Sequence, residues 1–199
     1  DFAFFVAKVF FMRSEMMPMT MSSDTSPPLY YLCLWAWTRA LGTSDLALRA
    51  LSLVLGLAAF PFLFALARRT GGRGAVVPAG LFLALSPPAV YYGTEGRMYS
   101  LLWLCVLAFA WATVRLRARP GLASFATFGA SALAGFLTHY FFLFVCAPLC
   151  AWLLWRPGKA ARARVLLVLA LVLLGLSPWY VELPRSLAAW RVTGEWLTW

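Results

Sequence analysis

The chain has 199 residues, of which 63% are apolar and only 12% charged, with a mean hydropathy of +0.79. These figures exclude a water-soluble globular domain, whose polar shell so few charges cannot supply, and place the chain in lipid. The net charge of +10 is no nucleic-acid signature, because the cations sit in separate short turns with no interleaved stacking surface.

Residues 1–12 are apolar but too short to cross a bilayer, and 27–41 is a short Tyr- and Trp-rich run interrupted by Thr38 and Arg39. Both read as interfacial or re-entrant elements of an external juxtamembrane region, 1–44. Six runs then approach the roughly 17–25 residues a crossing needs: 46–67, 74–92, 98–114, 121–138, 140–155 and 165–181. Residues 182–199 read as an external loop. The expected fold is an all-α membrane protein, a polytopic helical bundle of about six transmembrane helices with interfacial helices beside it, in a single transmembrane domain. The chain opens at Asp1 in an interfacial segment and ends at Trp199 just past an external loop, so a preceding span and further spans are expected beyond it.

Charge orients these runs. Arg68, Arg69 and Arg73, then Arg115, Arg117 and Arg119, then Arg156, Lys159, Arg162 and Arg164 form three short basic turns that hold ten of the 17 cations and none of the seven acids. Basic turns of this kind face the cytoplasm. Six alternating spans then put Asp1, Glu15, Asp24, Asp45, Glu95, Glu182 and Glu195 together on the opposite face, as in a multi-pass protein of an inner (plasma) membrane. Parity makes 27–41 dip into the outer leaflet, since a full crossing would move the acids or the Arg68 turn to the wrong side. Cys33, Cys105, Cys146 and Cys150 lie in apolar runs without metal-type spacing and read as packing residues.

Function must come from the acidic face. Glu15, Asp45 and Glu195 read as solubilising charges. Asp1, Asp24 and Glu95 differ in abutting the membrane beside aromatic and proline residues, Asp24 in SSDTSPPLYY and Glu95 in PPAVYYGTEGRMY. Carboxylates at such a boundary are partly desolvated, which raises their basicity and suits them to proton abstraction or metal binding. Glu95 and Arg97 flank Gly96 in a very short turn. They read either as a local ion pair with a snorkelling arginine or as an acid beside a cation able to hold a phosphate. His139, the one histidine, sits with Tyr140 between two runs, as a polar cap or as a site residue.

The ordered pieces DFAFF, SDTSPPLYYLCLW, LALRALSLVLGL, LALSPPAVYYGTEGRMYSLL and LTHYFFLF resemble the N-terminal part of the GT-C-fold glycosyltransferases, in the bacterial family related to protein O-mannosyltransferases and aminoarabinose transferases. The resemblance covers nearly the whole chain. It implies an enzyme that takes a sugar from a polyprenyl-phosphate carrier and delivers it to a lipid, glycan or protein acceptor on the external, periplasmic side. It also implies an acid in the first external loop, matched by Asp1, and a second in the next, matched by Glu95. Asp24 with Pro27 and Pro28, Arg97 with Met98 and Tyr99, and His139 with Tyr140 match further family stretches. Two positions depart from the pattern: Phe2 follows Asp1 where an Asp-Glu pair is common, and Ser26 stands where a histidine often precedes the two prolines.

Displacing a polyprenyl phosphate from an anomeric carbon needs a base for the acceptor hydroxyl and a cation for the leaving phosphate. On the resemblance, Asp1 is the base and Arg97 the phosphate partner. Glu95 and Asp24 orient substrate, or share a divalent ion through oxygen ligands if one is used. Tyr99, His139 and Tyr140 complete the substrate-binding set, and the aromatic segments at Phe2 to Phe11 and Tyr30 to Trp37 would form the lipid-tail groove and sugar platform. The rival readings are a transporter or channel, which would place ionisable groups at mid-membrane on broken helices, and a non-catalytic membrane subunit.

Overall fold

A computed structural model describes residues 27–155 and 158–193, with side chains as far as Val181. Asp1, Asp24, Glu15 and Glu195 lie outside the described residues, as do the side chain of Glu182 and the aromatic segment Phe2 to Phe11. The described residues form an all-helical membrane bundle: α1 (Leu29–Leu41), α2 (Asp45–Thr70), α3 (Val76–Leu85), α4 (Pro87–Thr94), α5 (Tyr99–Ala118), α6 (Leu122–Thr138), α7 (Leu143–Leu154) and α8 (Lys159–Thr193). Short 3-10 turns at Arg73–Ala75 and Tyr140–Phe142 lead into α3 and α7.

Among the described residues, three helices are long and apolar enough to cross a membrane unaided: α2, α5 and the Lys159–Val181 part of α8. The 74–92 run, expected as one span, is broken into α3 and α4, bent by 58°. The cause is local. Ser86 precedes Pro87, whose ring excludes the helical conformation from the residue before it, and Ser86 accordingly adopts φ −68°, ψ 129°. The Ser86 hydroxyl then caps the new helix by accepting from the Ala89 amide at 3.3 Å. The 121–138 and 140–155 runs form the shorter apolar helices Leu122–Thr138 and Tyr140–Leu154. α8 continues to Thr193, into the 182–199 segment expected as an external loop.

Helix α5 is the axis of the bundle. Its apolar stretch is 39% buried, against 22% for α2 and 17% for α8, and it packs along α2, α6 and α7, with α8 against α6 and α1 against α2 and α6. Leu101, Cys105, Phe109, Ala112 and Leu116 recur at three- and four-residue spacing and are all buried, forming one inward face. Phe109 is fully buried between Phe128, with ring centres 5.1 Å apart, and Phe142, at 5.2 Å. Lipid is as apolar as these side chains, so association rests on close packing rather than on expulsion of water. Small residues at the crossings, Ala59, Ala112, Ala132 and Gly135, permit it. Outside, Leu53, Val54, Leu57, Phe82, Leu167, Leu171, Leu173 and Leu174 are exposed, as a lipid-facing surface requires.

Hydroxyls inside the bundle must find internal partners, since lipid offers none. Thr113 and Thr138 donate back to the Phe109 and Ala134 carbonyls, each at 2.7 Å. The cysteines are free thiols, with Cys105 and Cys146 buried in the core.

Candidate functional site

At one end of the bundle the chain leaves α4, turns through Glu95, Gly96 and Arg97, and enters α5. Gly96 makes this turn with φ +70°, a left-handed conformation that costs side-chain-bearing residues about 1 kcal/mol or more. Buried hydroxyls hold the turn from both sides. Ser52 of α2 donates to the Arg97 carbonyl at 3.5 Å, and Ser100 donates across the turn to the Tyr92 carbonyl at 3.1 Å.

The turn brings its two charges together. Arg97 Nε lies 3.6 Å from Glu95 Oε1, which also accepts from the Tyr91 hydroxyl at 3.2 Å. Glu95 Oε2 is buried and has no hydrogen-bond partner among the described residues. The Arg97 side chain is 48% exposed, and its two terminal nitrogens have no protein partner among the described residues. An arginine held by Nε leaves its outer edge free to grip an oxyanion through two donors. Asp45 is otherwise engaged. It holds Arg49 at 2.8 Å on an exposed helix face, as a solubilising pair would.

The second component arrives from α6. His139 ends that helix in extended backbone, φ −162°, ψ 140°, and its Nδ1 accepts from the Phe141 amide at 3.1 Å. Acceptance at Nδ1 puts the ring proton on Nε2 and favours the neutral imidazole. Burial pushes the pKa in the same direction, below its ordinary 6.5. Below pH 6.5 the unfolded chain binds a proton that the folded chain refuses, so this group's contribution to stability is complete above that value and is lost as pH falls. Thermal unfolding is therefore expected to show a stability loss on acidification below pH 6.5 that is smaller in His139→Gln; equal losses in both proteins would contradict the assignment.

Aromatic rings join the two components. Tyr92 packs on Tyr99 with centres 4.2 Å apart, Tyr99 on His139 at 5.8 Å, His139 on Tyr140 at 6.4 Å, and Tyr140 on Tyr180 of α8 at 5.8 Å. Tyr91 abuts Tyr92 at 5.1 Å. The fold thus gathers Glu95, Arg97, Tyr99, His139 and Tyr140 along one continuous band, while Asp1 and Asp24 lie outside the described residues. Tyr91, Tyr92 and Tyr180 are additions that sequence reasoning did not single out. The first two stand in the YYGTEGRMY stretch itself, but Tyr180 carried no signal beyond a Trp-Tyr pair at a helix's far end.

The arrangement offers a fixed cation, a carboxylate with one uncommitted oxygen, a neutral imidazole and a stacking surface. Such parts suit a phosphorylated, ring-shaped substrate. Among the described residues no three His, Cys, Asp or Glu side chains are grouped to hold a metal ion, so the residues on view do not make a cage for a divalent ion.

The sequence model of the dolichyl-phosphate-mannose-protein mannosyltransferase family matches residues 25–181. The match takes in Glu95, Arg97, Tyr99, His139 and Tyr140 and begins one residue after Asp24. No curated protein and no solved structure matches the chain.

Proposed function

The chain belongs to the dolichyl-phosphate-mannose-protein mannosyltransferase family, membrane glycosyltransferases of the mannosyltransferase kind, and from that premise we propose that it moves a sugar from a polyprenyl-phosphate carrier to an acceptor at the Glu95 end of the bundle, on the external face of the membrane. The observation that carries this reading is the Glu95–Gly96–Arg97 turn, which presents the free edge of a guanidinium beside the Tyr92–Tyr99–His139 band.

The proposed reaction is a single displacement. The acceptor hydroxyl gives its proton to a carboxylate, its oxygen attacks the anomeric carbon, and the carbon–oxygen bond to phosphate breaks with the electron pair leaving on phosphate. Asp1 serves as the base. Arg97 receives the charge that grows on the departing phosphate, and its Nε faces Glu95 Oε1 at 3.6 Å. Glu95 is already engaged by Tyr91 and Arg97, which suits it to orienting groups, with Asp24 in a similar role. Neutral His139 has Nε2–H as a donor for a sugar hydroxyl or phosphate oxygen, and the tyrosines give the sugar ring a face to lie on. Attack opposite the leaving group inverts the sugar carbon.

The test is transfer in proteoliposomes from radiolabelled polyprenyl-phosphate sugars, comparing wild type with Asp1→Asn and Glu95→Gln. Loss of transfer in both variants at normal folded yield, with an inverted product, supports the proposal. A wild-type protein that transfers no sugar, or a product that keeps the donor configuration, overturns the function or the mechanism respectively.

A further inference from the structure

The end of the bundle opposite Glu95 holds a cavity that sugar transfer does not use. It has a volume of about 290 Å³ and lies where the end of α5, the start of α6, the end of α7 and the start of α8 meet. Leu116, Phe125, Leu153 and Val165 give it apolar walls, and Arg117 lies in its lining. Gly158, just before α8, and Ala161 in its first turn keep it hollow because neither carries a side chain large enough to fill it.

Arg117 is held in place. It donates through Nη1 to the Trp152 carbonyl at 2.6 Å, and its guanidinium carbon lies 4.3 Å from the centre of the Trp152 ring. The rest of its donor edge remains available. Arg115 of α5, Arg119 just past its end, and Lys159, Arg162 and Arg164 from α8 share this end, and the described ion pairs, Arg49–Asp45 and Arg97–Glu95, both lie at the other. Among the described residues no carboxylate pairs with these cations. Helix α6 adds to it, because its N-terminus opens here with Gly121 as cap, no capping side chain and no acid in the first turn.

We propose that this cavity binds an acidic phospholipid of the surrounding leaflet, its phosphate on Arg117 and its acyl chains along the apolar walls. Charge complementarity selects an anionic headgroup, and the apolar walls of Leu116, Phe125, Leu153 and Val165 select a lipid over a soluble anion.

Purified protein in phosphatidylcholine vesicles, with and without phosphatidylglycerol, tests this by thermal unfolding. Phosphatidylglycerol is expected to raise Tm by about 3 °C or more in wild type and in the control Arg68→Gln/Arg69→Gln, whose charges lie outside the cavity. Arg117→Gln, and Ala161→Leu, which fills the hollow without changing charge, are each expected to lose most of that rise. The proposal is overturned if Ala161→Leu keeps the full rise, if the control loses as much as Arg117→Gln, or if inorganic phosphate with phosphatidylcholine alone reproduces the effect.

Discussion

Arg97→Ala is expected to lower sugar transfer by about 100- to 1,000-fold, the range found when one preorganised donor to a developing oxyanion is removed. The size of the effect follows from the geometry. The side chain is half exposed and contributes little to packing, but its Nε is tied to Glu95 and its outer edge is free, so the variant should fold normally and fail at the chemical step. Arg97→Lys keeps the charge but loses the planar fork, and is expected to recover only part of the rate. The measurement is single-turnover transfer in proteoliposomes at saturating donor, with thermal unfolding alongside. A normal rate in Arg97→Ala would remove this residue from the reaction.

Gly135→Ala should destabilise the fold by about 1–3 kcal/mol, the usual cost of forcing an extra carbon into a filled core. A Cβ at this position would run into the Phe142 ring. Phe142 cannot step aside, because it is fully buried against Phe109 and Phe136, with centres 5.2 and 5.1 Å away. The strain also reaches the site. The Gly135 carbonyl accepts from the His139 amide at 3.0 Å, and Phe142 closes the 3-10 turn that His139 begins. The double variant Gly135→Ala/Phe142→Leu should therefore cost less than the sum of its parts when measured by thermal unfolding. Strict additivity would show that the two residues do not press on one another.

Much of this was legible in the chain itself. The runs now seen as α2, α5, α6, α7 and α8 announce themselves by apolar length, since a segment in lipid must satisfy its own backbone and hide few charges. The Glu95–Arg97 ion pair was one of two readings open in the sequence, since charges either side of a glycine in so short a turn lie within reach of each other, and the fold does bring them to 3.6 Å. The break at Ser86 was written as Ser-Pro-Pro and was missed, because the hydropathy of 74–92 is uninterrupted and apolarity says nothing of backbone conformation.

What the sequence by itself determined is the membrane class, the separation of acids from basic turns, and the family, for these rest on composition, on charge order and on local motifs. What only the tertiary structure decided is which distant residues share a site. Ser52 reaches Arg97 across 45 positions, Tyr99 stacks on His139 across 40, and Tyr180 closes the band from α8. No local pattern records such meetings, because they depend on the rotation of each helix about its axis, and that rotation is set by how Phe109, Phe128, Phe142 and Gly135 interlock in the core.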